Sequence, residues 1–284
     1  MGTEEFDLEV RGHRLHAQRQ GSSDAPLALA VPGLSANLRS FDFIAERVAG
    51  PRLQLVALDL RGRGRSETTP AGTYGWENHA LDVLAVADAL GAGRVAILGQ
   101  SMGGAVAMKA AGLATERIAA VVLLDACGVP EPGTLAVIGR SVSRLGETYP
   151  SIDDYLATVR AQGTIEPWSE YWERYYRYEL EEVEGGYRSR TRPEAIAEDG
   201  AYAATQDLYG LWRHLAMPTL LLRATREFLP GSGHIVSAAD RDRFAAEVPT
   251  ARVVEVDANH MTINTHPDSA AAITTFLAEA FDRV

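Results

Sequence analysis

The residues best suited to do chemistry lie in Gly99-Gln100-Ser101-Met102-Gly103, a Gly-x-Ser-x-Gly sequence. Residues 95–98 are apolar and favour a β-strand, and residues 105–111 favour a helix. In such a strand–turn–helix segment the serine sits on a strained turn with its hydroxyl exposed. The flanking glycines are needed there because a Cβ would clash with the strand or the helix. The sequence therefore predicts a nucleophile elbow with Ser101 as the nucleophile.

The segments that must position this elbow alternate between strands and helices. A hairpin is predicted at 6–10 and 14–18, and buried strands are predicted at 27–31, 53–58, 95–98, 119–124, 218–222 and 252–256. Helices are predicted at 40–48, 76–90, 105–111, 238–247 and 268–281. This alternation predicts one α/β domain.

The alternation stops between about residues 128 and 215, where helical periodicity and aromatic residues dominate. The aromatic residues of this segment include Trp168, Tyr171, Trp172, Tyr175, Tyr176, Tyr178, Tyr187, Tyr202, Tyr209 and Trp212. We predict a helical cap over 128–215, inserted into a core of residues 1–127 and 216–284. A minority of the rings is expected to face the pocket.

The composition argues against several partners. With a net charge of −11, no basic patch can drive nucleic-acid binding. The first residues are acidic and lack the apolar core of a signal peptide, and no apolar stretch approaches the roughly 20 residues that span a bilayer. The single cysteine, Cys127, cannot form an internal disulfide and fits a reducing cytoplasm, which is the expected location. No cluster of metal-binding side chains has the required spacing, so neither a metal nor a cofactor is expected.

These segments together resemble the α/β-hydrolase family. The resemblance is carried by the elbow at 99–103, the Pro32-Gly33-Leu34 loop, Asp59-x-Arg61-Gly62-x-Gly64-x-Ser66, and Asn259-His260 after the last strand. It implies an α/β-hydrolase fold with a mostly parallel eight-stranded sheet flanked by helices. It also implies a triad in the chain order serine, acid, histidine. Because the fold hosts many reactions, the resemblance gives no substrate.

A serine hydroxyl is a poor nucleophile and needs a neighbouring base, for which imidazole suits neutral pH. The chain has seven histidines. His260 follows the last predicted strand, at the edge of the sheet where catalytic loops collect, whereas His234 lies in a Gly-Ser-Gly-His loop. We expect His260 to be the base by analogy with the ordered triad, and His234 is the second candidate.

Two carboxylates compete for the acid position of the triad. The usual family site follows the predicted strand 218–222, where this chain offers Glu227 within Arg226-Glu227-Phe228 instead of the familiar aspartate. Asp125 ends the preceding strand, and some family members take their acid from this strand end. We prefer Asp125 because a short carboxylate at a rigid strand terminus is held better than a glutamate on a loop, and Glu227 stays the alternative.

The oxyanion hole needs two backbone N–H donors about 3 Å from the developing oxyanion. In this family they come from the residue after the nucleophile, here Met102, and from the loop after an early strand, here Leu34. Pro32-Gly33 replaces the family's common His-Gly pair in that loop. The replacement leaves Ser35 as an alternative to Leu34.

The expected activity is that of a serine hydrolase, which cleaves a carboxylic ester, lactone or related acyl bond of a small molecule and uses water to release the acyl group. Alternatives on the same triad are hydrolysis of a C–C or C–N bond and cofactor-free perhydrolase activity. A small-molecule receptor with slow hydrolysis is an alternative from another class. Epoxide hydrolases and haloalkane dehalogenases are disfavoured because those relatives carry aspartate where this chain has Ser101. The sequence does not indicate the oligomeric state.

Overall fold

The computed structural model describes residues 2–282, and its first half alternates strands with helices. The strands are β1 (Glu4–Val10), β2 (His13–Gln20), β3 (Leu27–Val31), β4 (Gln54–Leu58), β5 (Val95–Gln100) and β6 (Ile118–Leu124). The helices are α1 (Asp42–Val48), α2 (Trp76–Ala89) and α3 (Met102–Leu113). Strands β3 to β6 are buried along their whole length, as expected from their continuous apolar runs.

Residues 128–215, called the cap segment below, contain both helices and short strands. In chain order these are α4 (Pro132–Val142), β7 (Thr148–Tyr149), α5 (Ile152–Ala161), α6 (Glu170–Tyr178), β8 (Leu180–Val183), β9 (Gly186–Ser189) and α7 (Pro193–Ala203). Beside the helices that the sequence predicts for the cap, β7, β9 and β8 form a small antiparallel sheet. Strands of two and four residues are too short to show an alternating pattern in the sequence.

The remaining elements complete the main sheet. They are β10 (Thr219–Ala224), α8 (Ala238–Glu247), β11 (Ala251–Val256) and α9 (Pro267–Phe281). The eight strands of the main sheet lie in the order β1-β2-β4-β3-β5-β6-β10-β11. Strand β2 is antiparallel to both β1 and β4, and the other neighbours are parallel. The predicted α/β fold with a mostly parallel eight-stranded sheet is confirmed.

Apolar layers cover both faces of the sheet. On one face, Leu29, Ile97 and Val121 pack with buried residues of α2 and α3. On the other face, Leu98 and Val122 pack with α1 and α9. The alternation of side chains along a strand places β5 between the two layers, so the turn that follows β5 is fixed from both sides.

One predicted helix has an irregular first turn, and the division of the chain into core and cap stays a prediction. The predicted helix 40–48 begins with a 3₁₀ turn, Leu38–Phe41, because the side chain of Asn37 caps it by accepting from the Arg39 N–H at 3.0 Å. The division into a core of 1–127 and 216–284 and a cap of 128–215 stays a prediction. Residues 1, 283 and 284 of its outer bounds lie outside the described residues. Among the helices formed by residues 2–282, none has the length and apolar character needed to cross a bilayer.

Candidate active site

Ser101 joins β5 to α3 in a strained backbone conformation. Its φ of 54° and ψ of −122° lie outside the regions that non-glycine residues usually adopt. A Cβ on Gly103 would lie 2.0 Å from the Val31 carbonyl oxygen, and a Cβ on Gly99 would lie 2.2 Å from the Gly103 carbonyl oxygen. The structure thus contains the strand–turn–helix that the sequence predicts. Ser101 is half-buried and lines a cavity.

His260 and Asp125 are in direct contact beside this turn. His260 follows β11, and its Nδ1 lies 2.8 Å from Asp125 Oδ2, with both side chains buried. Asp125 follows β6 with a φ of 48°, a left-handed conformation that aspartate tolerates better than most residues. Its second oxygen, Oδ1, accepts from the Ala224 N–H at 3.1 Å. One oxygen of the Asp125 carboxylate therefore binds the backbone of the sheet, and the other contacts the imidazole of His260.

The other ring nitrogen of His260 faces Gln100, a residue that the sequence analysis did not single out. The Gln100 Nε2 lies 3.2 Å from His260 Nε2. If the neutral ring donates from Nδ1 to Asp125, its Nε2 is an acceptor, and the Gln100 amide donates to it. Among the described residues no hydrogen bond joins Ser101 Oγ to His260. Catalytic contacts of this kind are often long in free enzymes and tighten when substrate binds.

The alternative candidates lie elsewhere. Glu227 is exposed, and its carboxylate accepts from the N–H groups of Gly231 at 2.7 Å and Gly233 at 3.3 Å. The Nε2 of His234 lies 3.2 Å from the Thr225 carbonyl oxygen. The structure therefore brings Asp125, and not Glu227, into contact with His260.

The two expected oxyanion donors, Leu34 and Met102, both line the same cavity as Ser101. Met102 is the first residue of α3, so its N–H has no partner within the helix. The Gly33 carbonyl, which shares a peptide unit with the Leu34 N–H, accepts from Ala36 N–H at 3.2 Å. The loop that carries Leu34 is therefore held by its own backbone.

The cavity has a volume of about 540 Å³ and a mostly apolar wall. Core and cap residues contribute to it, including Trp76, Met108, Ile138, Val142 and Phe228. Of the aromatic residues in the cap segment, Trp172, Tyr175 and Tyr176 line the cavity, which is the minority expected. Burial raises the pKa of both tyrosine hydroxyls, so they are uncharged at neutral pH.

The other charged side chains in the cavity wall are paired with opposite charges. Arg144 binds both carboxylate oxygens of Glu179, at 2.8 and 3.0 Å. Asp199 binds Arg63, and His79 Nε2 lies 3.0 Å from its Oδ2. Burial alone would raise the pKa of Asp199, but its hydrogen bond with His79 and the charges of His79 and Arg63 lower it to about 2. Sequence reasoning missed both pairs because their members are far apart in the chain.

No group of three or more His, Cys, Asp or Glu side chains within residues 2–282 is placed to hold a metal ion.

Comparisons with known proteins agree with this architecture. The sequence model of the family described as alpha/beta hydrolase fold matches residues 27–267. An N-formylmaleamate deformylase from Pseudomonas putida is 36% identical over 119 residues, which are 42% of this chain and 44% of that protein. The chain thus matches less than half of the deformylase's length. Lipase LipV from Mycobacterium tuberculosis is 29% identical over 273 residues, which are 91% of this chain and 95% of that protein.

Solved structures show the same fold. The crystal structure of E-2-(acetamidomethylene)succinate hydrolase superimposes with a TM-score of 0.86 over 98% of this chain and all of that one, at 23% identity. At this identity the likeness establishes the fold alone.

Proposed function

Since the chain belongs to the α/β-hydrolase fold family, we propose that it is a serine hydrolase that cleaves a carboxylic ester, lactone or related acyl bond. The observation that carries the proposal is the 2.8 Å contact between Asp125 and His260 in the cavity that Ser101 lines. A base oriented by a carboxylate beside a serine that lines a cavity is the arrangement that activates a hydroxyl for attack.

In the proposed acylation, Ser101 Oγ attacks the substrate carbonyl while His260 Nε2 takes the hydroxyl proton. Gln100 must first give up its hydrogen bond to Nε2, because that nitrogen has a single in-plane lone pair. The new bond joins Oγ to the carbonyl carbon, and the carbonyl oxygen becomes an oxyanion that the Leu34 and Met102 N–H groups stabilise. Collapse of this intermediate breaks the bond to the leaving group, which receives the proton from His260.

In the proposed deacylation, water takes the place of the leaving group. His260 removes a proton from the water, which attacks the carbonyl carbon of the acyl-enzyme. The bond to Ser101 Oγ then breaks, and the proton on His260 returns to that oxygen. The products are the free acid and the resting enzyme.

We propose that the acyl group is apolar and uncharged. The cavity wall is mostly apolar, and its charged members already have partners: Asp125 with His260, Arg144 with Glu179, and Asp199 with Arg63. A substrate carboxylate would therefore meet no free cation among them. Burying an unpaired charge is far more costly than burying an alkyl chain.

Hydrolysis of a C–N bond is the second candidate function. It is favoured by the 36% identity with a protein named as an N-formylmaleamate deformylase, although the matched part is 119 residues. The same proposed triad and oxyanion donors would serve, with an amine instead of an alcohol as the leaving group.

The first experiment tests the nucleophile. A fluorophosphonate probe is expected to add covalently to wild-type protein and to leave Ser101→Ala unlabelled, with the modified peptide identified by mass spectrometry. Absence of an adduct on Ser101 would contradict the serine-hydrolase proposal.

The second experiment tests the substrate class with matched compounds. We expect kcat/KM for p-nitrophenyl hexanoate to exceed that for mono-p-nitrophenyl adipate, its analogue with a terminal carboxylate, by at least about 100-fold. Equal rates would contradict the uncharged-acyl proposal. Faster cleavage of hexanoyl p-nitroanilide than of the hexanoate ester would favour C–N hydrolysis instead.

We propose small-molecule substrates and water as the partners of this protein and the cytoplasm as its location. The location is supported by Cys127, the sole cysteine, which is buried and unpaired.

A further inference from the structure

Arg63 is a fully buried cation in the loop after β4, and it contacts the loop that carries Leu34. Its Nε donates to the Leu34 carbonyl oxygen at 2.6 Å, and its Nη1 donates to the Arg61 carbonyl oxygen at 2.9 Å. Its Nη2 binds Asp199 of α7 in the cap segment. One guanidinium therefore joins the Leu34 loop to the cap.

The bond to the Leu34 carbonyl limits how this loop can turn. A peptide unit is planar, so fixing the Leu34 carbonyl fixes the direction of the Ser35 N–H in the same plane. The preceding plane, which holds the Leu34 N–H, is fixed by the 3.2 Å bond from Ala36 N–H to the Gly33 carbonyl oxygen. Both candidate oxyanion donors of the loop are thus oriented by bonds to the carbonyl of their own peptide unit.

Asp199 is well placed to hold the other end of this connection. It is fully buried, lines the cavity, and also accepts from the Gly75 N–H at 2.7 Å. His79 Nε2 lies within 3.1 Å of both of its oxygens. Gly75 and His79 of the core therefore fix the Asp199 carboxylate, and this carboxylate holds Arg63 against Leu34.

We propose that Arg63 is a positioning residue of the reaction, because it orients the oxyanion loop through the Leu34 carbonyl. Since Asp199 of the cap segment holds Arg63, this orientation also depends on the contact between the cap segment and the core. The inference rests on the proposed function, since it assumes that this loop supplies an oxyanion donor. Arg63 is not among the residues that line the cavity, so it does not act on the substrate directly. It acts on the transition state through the peptide planes that it holds.

The test removes the arginine without leaving a buried charge unpaired. In Arg63→Met combined with Asp199→Asn, the asparagine oxygen can still accept from Gly75 N–H, and neither side chain is charged. The matched control is Arg61→Met combined with Asp82→Asn. That pair is also buried, with Arg61 Nε 2.8 Å from Asp82 Oδ2. Arg61 lies in the same loop as Arg63, whereas Asp82 lies on α2, where it also binds the part-exposed Arg11.

Two readouts separate positioning from a merely structural effect. For p-nitrophenyl hexanoate, we expect the first double variant to lose about 10- to 100-fold in kcat with KM changed less than about threefold. In the first double variant, the inhibition constant of a trifluoromethyl ketone, which forms an oxyanion on Ser101, should rise by the same factor as kcat falls. The inhibition constant of the corresponding secondary alcohol, which forms no oxyanion, should not rise. The control variant should keep kcat within about threefold.

Unchanged kcat and unchanged ketone inhibition in a folded first variant would overturn the proposal, and so would equal losses in both double variants. If the first variant does not fold, Arg63→Lys serves instead. An ammonium can bind Asp199 but cannot reproduce the planar fork that reaches Leu34, so the same pattern is expected. These outcomes are distinct from failure of the proposed function, which would show as wild-type protein without a fluorophosphonate adduct on Ser101.

Discussion

Replacing Asp125 with asparagine should disable the proposed base while leaving the fold in place. Asparagine tolerates the left-handed backbone at this position as aspartate does, so the substitution changes the side chain alone. One oxygen of Asp125 accepts from the Ala224 N–H at 3.1 Å. The asparagine oxygen must stay on this donor, which turns its NH2 group towards His260 Nδ1.

That orientation forces the wrong tautomer on the imidazole. Facing an NH2 donor, Nδ1 becomes an acceptor, so the proton of the neutral ring moves to Nε2, the atom that has to accept from Ser101. The corresponding change in the Ser-His-Asp template lowers kcat by about 10⁴-fold, which is about 5.5 kcal/mol of activation free energy. We expect a loss of this order for Asp125→Asn, measured as kcat for p-nitrophenyl hexanoate.

Glu227→Gln is the matched comparison, because Glu227 is the other candidate acid. Its exposed carboxylate binds two N–H groups of its own loop, and glutamine can replace one of these bonds. We expect kcat to stay within about threefold of wild type. The assignment of Asp125 is wrong if Glu227→Gln collapses kcat while a folded Asp125→Asn keeps it within tenfold.

Three further predictions concern stability and reactivity. Gly103→Ala should lower the free energy of unfolding, measured in urea, by about 1–3 kcal/mol, because its Cβ would lie 2.0 Å from the Val31 carbonyl oxygen. A Cβ on Gly139 would have nothing within 4 Å, so Gly139→Ala should leave that free energy unchanged or raise it by up to about 1 kcal/mol. The pKa of Asp199 is about 2 instead of the usual 3.8, so its stabilisation is present above pH 3.8 and is lost as the pH falls towards 2. Wild type should lose about 2 kcal/mol over this range that the double variant Arg63→Met with Asp199→Asn does not lose, as measured by urea unfolding at each pH. Burial and the nearby Asp125 charge raise the pKa of the Cys127 thiol. Iodoacetamide at pH 8 should therefore label Cys127 in urea and not in the folded protein, and rapid labelling without urea would contradict this prediction.

The elbow could be predicted from the sequence because its physical requirements are local. The strain at Ser101, the clash at Gly103 and the helix that follows all involve backbone within a few residues or a directly neighbouring strand. Buried strands can be predicted equally well, because a strand covered on both faces is apolar at nearly every position. The mostly parallel eight-stranded sheet, in contrast, is implied by the resemblance to the α/β-hydrolase family.

The sequence favours Asp125 as the acid but leaves Glu227 as an alternative, because both candidates follow strands that are neighbours. Strand β6, which precedes Asp125, pairs directly with β10, which precedes Glu227, so both carboxylates start from the same edge of the sheet. What separates them is the contact that each side chain makes. Asp125 reaches His260, while Glu227 is held by its own loop.

Gln100 and Arg63 were missed for a related reason. Gln100 is 160 residues from His260 and Arg63 is 136 residues from Asp199 in the chain, so their contacts are properties of the tertiary structure. Gln100 also occupies a position that the Gly-x-Ser-x-Gly pattern leaves open, and Arg63 occupies an open position of Asp59-x-Arg61-Gly62-x-Gly64. A pattern that tolerates any residue carries no signal about the one present.

The cap segment is attached to the core in different ways along its length. Next to the cavity, α7 is held by the buried Arg63–Asp199 pair, and Tyr178 at the end of α6 donates to the buried carboxylate of Asp59. Breaking such contacts would leave charged or polar groups buried without partners, which makes opening at these points expensive. The helix α4 is attached differently: it buries Thr134 and Val137, whereas Leu135 lines the cavity and is 54% exposed. Little buried surface and no buried charge of its own hold α4, so we expect local opening there to break fewer buried polar contacts than opening at α6 or α7.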